Sequence, residues 1–124
     1  MTLKECYTAL GGDYEDVLAR LHSDRLVHKF ILKYLDDGSY DLLCGAMAVK
    51  DDKEAFRGAH TIKGMCQNLS FTRLLASSSV LSDALRHGWT DDAEPAFEQV
   101  KADHLATVAA IRAYQAECEA QEAR

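Results

Sequence analysis

Phe56-Arg57-Gly58-Ala59-His60-Thr61-Ile62-Lys63-Gly64 holds the residues of this chain best arranged for chemistry. A neutral imidazole is available near pH 7 and is a good nucleophile. Lys63 and Arg57 lie three residues to either side of His60, about one helical turn away, so both could offset an anion attached to the ring. Gly64 costs about 1 kcal/mol in a helix interior relative to Ala. In exchange, a bare backbone one turn after the histidine lets another surface come close to it. Phe56 offers an apolar contact one turn before. Together these residues suggest a nucleophilic imidazole that carries an anion, such as a phosphoryl group.

A helix must position them. Ala55, Ala59, Ile62, Cys66 and Leu69 recur at spacings of four and three, which is a core-facing stripe. His60 falls roughly 140° from the middle of that stripe and therefore points outward. Arg57, Lys63, Gly64 and Gln67 fall within about 60° of it. The segment opens at Asp51-Asp52, where acidic groups suit the positive end of the helix dipole.

Helical spacing and punctuation divide the rest of the chain. Helices are expected over about 2–10, stopped by Gly11-Gly12, and over 13–21, capped by Asp13. Another is expected over 24–35, capped by Ser23. After a break at 36–39 come helices over about 40–49, 51–68, 71–87 and 91–121. Ser70 is expected to cap the third of these four, Gly88 to follow its end, and Pro95 to sit in the first turn of the last. Short connections favour antiparallel neighbours. The fold class expected is all-α: an up-and-down antiparallel four-helix bundle over 39–121 with short additional helices over 1–35, in one domain.

Composition agrees. The chain has 124 residues, enough to bury a core, and only one proline and seven glycines, too few for a turn-rich β fold. Gly45 and Gly58, inside helices, are expected to let neighbouring helices approach. The net charge of −6, from 14 basic and 20 acidic residues, argues against nucleic-acid and anionic-membrane partners. No apolar run nears the roughly 20 residues of a spanning helix, and no signal pattern opens the chain. Cys6, Cys44, Cys66 and Cys118 form no C-x-x-C pair and read as buried free thiols of a cytoplasmic protein.

The other histidines read as structural. His22 lies at a break, His87 in a last turn, and His104 beside the stripe of Phe97, Val100, Val108 and Ile111; His28 reads the same way. Ser77-Ser78-Ser79 reads as a place where helices pack closely. Trp89 with Phe97 is expected to close one end of the bundle, and Glu117, Glu119 and Glu122 to form a solvated, fraying end. No metal site is expected, since no helix carries paired E-x-x-H ligands.

The motif around His60, followed by Asn68-Leu69, resembles the signature of histidine-containing phosphotransfer (HPt) domains, and the resemblance runs over roughly 23–115. It implies a helical phosphoryl carrier. His60 would accept a phosphoryl group from a receiver-domain aspartate and pass it to another receiver. Lys63 matches the lysine near the phosphoryl group, Gly64 the glycine that permits docking, Gln67 a polar position near the ring, and Arg86 a basic position on the adjacent helix. The implied partners are receiver domains of response regulators or hybrid histidine kinases. They would supply the acidic residues and the metal ion, and this chain would need no cofactor or ATP site and would act as a monomer. The serine at position 70 departs from the glycine many members place there. Two alternatives share these residues: the phosphoacceptor domain of a chemotaxis-type histidine kinase, and a helical interaction module whose His60 is never modified.

Overall fold

Seven helices make up the computed structural model, which describes residues 1–123. Among these residues every regular element is helical. The first three are short and individually capped. In α1 (Leu3–Leu10) Thr2 and Glu5 form a reciprocal capping box, and Gly11, at φ 76°, ends the helix. Asp13 accepts from the Asp16 amide to start α2 (Tyr14–Leu21), and Ser23 accepts from the Leu26 amide to start α3 (Asp24–Leu35).

The bundle follows in α4 (Ser39–Ala48), α5 (Asp52–Leu69), α6 (Thr72–Leu85) and α7 (Ala93–Glu122). Consecutive members pack side by side, and the tight connections make them antiparallel. The stripe Ala55, Ala59, Ile62, Cys66 and Leu69 is buried throughout, so α5 is the central helix of one side. Gly58 shows how closely α4 approaches: a Cβ there would stand 3.1 Å from the Leu43 Cβ and 3.3 Å from its Cα.

The N-terminal helices are explained by the length of α7. Thirty residues span about 45 Å, whereas the eighteen of α5 span about 27 Å. Ala110, Ile111 and Tyr114, on the later part of α7, need cover, and α1 and α3 supply it. The Cys6 thiol reaches the Ala110 carbonyl at 3.6 Å, and His28 Nδ1 lies 2.7 Å from the Tyr114 hydroxyl.

Five expectations are corrected. Ser70 does not cap α6, which begins after Phe71 with no side-chain cap. It ends α5 in the left-handed conformation, φ 57°. Its hydroxyl donates to Asp16 at 2.6 Å and accepts from Arg20 at 3.0 Å, so α2 holds a conformation that serine alone would avoid. Gly45 is exposed, and a Cβ there would meet nothing within 4 Å; no helix approaches it. Helix α6 ends at Leu85, and His87 lies just beyond it, exposed. Only Cys6 and Cys66 are buried, while Cys44 and Cys118 are half-exposed. Glu117, Glu119 and Glu122 are exposed as expected, but the end does not fray: the Glu117 carboxylate pairs with the N-terminal ammonium at 2.8 Å, and α7 stays regular to Glu122.

The expectations for the serine run and for His22 and His104 hold. Ser77 and Ser78 are buried against neighbouring helices, their hydroxyls returned to the Leu74 carbonyl. His22 is the left-handed cap of α2. His104 is half-buried, stacked on Tyr40 at 3.6 Å and within 2.7 Å of the Tyr34 hydroxyl. Burial pushes its pKa down to about 4. Trp89 and Phe97 are both half-buried against the core; the Lys50 ammonium lies over the Trp89 ring, and Phe97 lines a groove between α4 and α7 with Cys44 and Met47.

Candidate functional site

The face of α5 opposite its buried stripe carries His60, exposed, with Gln67 and Asn68 exposed beyond it. Two features hold the helix in place. At its start the Asp51 carboxylate accepts from the Glu54 amide. At its end the last carbonyls, which have no partner within the helix, are taken by the N-terminal segment. The Tyr7 hydroxyl donates to the Leu69 carbonyl at 2.8 Å, Arg20 to the Asn68 carbonyl at 2.9 Å, and the Asp13 amide to the Ser70 carbonyl at 2.9 Å. In return the Gly11 carbonyl accepts from the Arg73 amide. The Ser70 hydroxyl, together with the same Arg20, holds the Asp16 carboxyl below its usual range.

The surroundings of His60 are two-sided. Going round the helix at about 100° per residue, Phe56, Lys63 and Gln67 lie on one flank and Gly64 and Arg57 on the other. The first flank faces α6. The Phe56 ring lies 5.6 Å from the His60 ring and 21° from parallel to it, and the Arg86 guanidinium lies 5.5 Å from the Phe56 centroid. The second flank faces α4, where Arg57, Gly58 and Thr61 share a surface groove with Gly38, Ser39 and Leu42.

The expected site residues therefore divide. The structure joins Phe56 and Arg86 to His60 through ring contacts. Lys63 is half-buried on the same flank. Arg57 stands apart, its guanidinium 3.1 Å from the Glu54 carboxylate one turn earlier. Gly64 is as open as its face predicts: a Cβ would meet nothing within 4 Å, so no neighbour in this chain requires glycine there.

Asp83 is a residue the sequence reading passed over. It holds Arg86 at 3.0 Å. The signal was present as an acid and a base three apart on a helix, but only the packing of α6 on α5 brings that pair to Phe56. Another feature missed is an apolar groove of about 360 Å³ between α2, α3 and the end of α5. Leu21, Phe30, Tyr34, Met65 and Leu69 line it, with Arg20 and Lys33 at its rim. Among the described residues there is no group of three or more His, Cys, Asp or Glu side chains placed to hold a metal ion. None of the described helices is long and apolar enough to cross a membrane.

His28 and His104 each place a ring nitrogen against a tyrosine hydroxyl. His60 makes its aromatic contact through the ring face, with the side chain exposed. That arrangement suits a nucleophile that must be reached from outside.

Comparison with known families agrees with the geometry. The family model described as Hpt domain matches residues 33–117, from the last turns of α3 well into α7. No curated protein and no solved structure matched the chain.

Proposed function

The chain belongs to the Hpt domain family, whose members are phosphocarrier modules of histidine phosphotransfer in phosphorelays, and from that premise we propose that His60 is the phosphoacceptor. A ring nitrogen attacks the phosphorus of a receiver's aspartyl phosphate. The P–N bond forms as the acyl-phosphate P–O bond breaks, and the aspartate leaves as carboxylate. The reverse step delivers the group to a second receiver. Lys63 offsets the phosphoryl charge, Gln67 borders it, and Arg57 adds positive charge from the α4 side once it turns from Glu54.

The observation that carries this reading is Gly64. It is a costly residue in a helix, one turn from an exposed histidine, and among the described residues no side chain beyond its chain neighbours' and no backbone of another helix lies within 4 Å of where its Cβ would be. An approaching surface accounts for it. Transfer demands that the two reacting atoms meet in line, so docking must be close. An interface of about 800 Å² per partner extends well past one side chain, and the groove lined by Phe30 and Met65 is apolar surface on the same side as Gly64. The chain works as a carrier with no catalytic activity of its own, in the cytoplasm, as a monomer between receiver encounters.

The test is transfer from receiver domains charged with a small phosphodonor. Wild-type protein should gain acid-labile, alkali-stable phosphate, and His60→Gln should gain none. Equal labelling of His60→Gln and wild type would overturn the assignment.

A further inference from the structure

Side chains of α6 reach the nucleophile by an indirect route. Asp83 binds Arg86 at 3.0 Å, the Arg86 guanidinium lies 5.5 Å from the Phe56 centroid, and the Phe56 ring lies beside the His60 imidazole at 5.6 Å and 21°. Three contacts thus join two helices in a single column that ends on the reacting ring. We infer that Asp83, Arg86 and Phe56 are positioning residues that hold the His60 imidazole in its transfer-ready rotamer, with Arg86 acting through Phe56 and not on the phosphoryl group. This inference rests on the phosphotransfer reading of His60 for its kinetic consequences alone; the column itself is a matter of geometry.

The physical case has three parts. An exposed imidazole on a helix otherwise samples several rotamers, and each unproductive one lowers the fraction ready for in-line transfer. A near-parallel aromatic neighbour one turn earlier limits that freedom, since offset stacking is favourable and leaves the ring edge outward. Phe56 is itself half-buried against the core, and the cation beside it adds attraction to its face. Asp83 then matters because it fixes where the cation sits. Asp83 and Arg86 are exposed, so substituting them leaves the core untouched; Phe56 is half-buried at its edge, so truncating it costs some stability without removing a fully buried side chain.

A double-mutant cycle separates this role from direct phosphoryl binding. The donor is the isolated receiver domain that, from a panel charged with acetyl phosphate, transfers fastest to wild-type protein. Phe56→Ala is expected to lower the maximal transfer rate about three- to tenfold without changing the receiver concentration at half-saturation. Phe56→Tyr should restore it. Arg86→Gln should lower the rate about two- to threefold in the wild-type background and have no further effect in Phe56→Ala. Independent, multiplying effects of the two substitutions, or a change in half-saturation from Arg86→Gln, would overturn the inference, because Arg86 would then act on the receiver or the phosphoryl group itself.

A second arm needs no receiver. NMR χ1 couplings of His60 should report one rotamer in wild type and averaging in Phe56→Ala. Identical couplings in both would overturn the column. If no receiver transfers, the phosphotransfer reading fails while this arm still decides the positioning claim.

Discussion

Replacing Gly64 by alanine should make the protein more stable and a worse carrier. In a helix interior alanine is favoured over glycine by about 1 kcal/mol. That gain is realised only where the new methyl clashes with nothing, and at Gly64 no atom beyond its chain neighbours and its own helix backbone lies within 4 Å of that position. For a chain of 124 residues the gain corresponds to a rise in Tm of about 3–6 °C. The same methyl stands out on the docking face. An added carbon in a close-packed contact costs about 1–3 kcal/mol, which is roughly five- to 150-fold in receiver binding. Gly58→Ala is the internal control. Its Cβ would press on Leu43, a fully buried residue, with backbone atoms at 3.3 and 3.4 Å that cannot swing aside. Strain there should cancel or outweigh the helix gain, so Tm should stay level or fall while receiver affinity is kept. Thermal melts by circular dichroism and stopped-flow transfer rates measure both quantities. A fall in Tm for Gly64→Ala would mean that the glycine serves this fold. A rise in Tm with undiminished transfer would refute the argument from close approach.

Three further outcomes are expected. Ser70→Ala should destabilise the protein more than Ser70→Gly, by about 1 kcal/mol in denaturant melts, because both lose the hydroxyl but only glycine relieves the left-handed backbone at φ 57°. His104, pushed down to about 4 by burial, should make stability fall as the pH drops from about 6.5 to about 4. In that window the unfolded chain takes up a proton that the folded chain refuses; His104→Phe should flatten this part of the urea-midpoint profile against pH. Alkylation under native conditions should label Cys44 and Cys118 before Cys6 and Cys66. The latter two are fully buried, and burial pushes their thiols up to about 11 and about 12; mass mapping that finds Cys66 modified first would contradict the packing of α5.

Most of the architecture was legible because it rests on local rules. Apolar spacing marked the buried stripe of α5, and the caps Asp13, Ser23 and Asp51 marked helix starts, since each satisfies amides within its own first turn. Ser70 was misread for the same reason. A serine before an apolar run is a good local cap, and nothing in the neighbouring residues reveals that Asp16 and Arg20, some fifty positions earlier, hold its hydroxyl at the other helix's end. Gly45 was misread because helical periodicity gives a residue's direction but not which neighbour, if any, stands there.

The sequence by itself determined the helices, the outward direction of His60 and the company of Lys63, Gly64 and Gln67, because all of these follow from the fixed rotation of about 100° per residue along one helix. Tertiary structure alone decided what lies between helices. It placed Arg86 and Asp83 behind Phe56, left Gly64 open and pressed Gly58 against Leu43. It also tied the end of α5 to the N-terminal segment through Tyr7, Asp13 and Arg20. Those contacts join residues far apart in the chain, so they depend on how whole helices settle against each other, which no local pattern records.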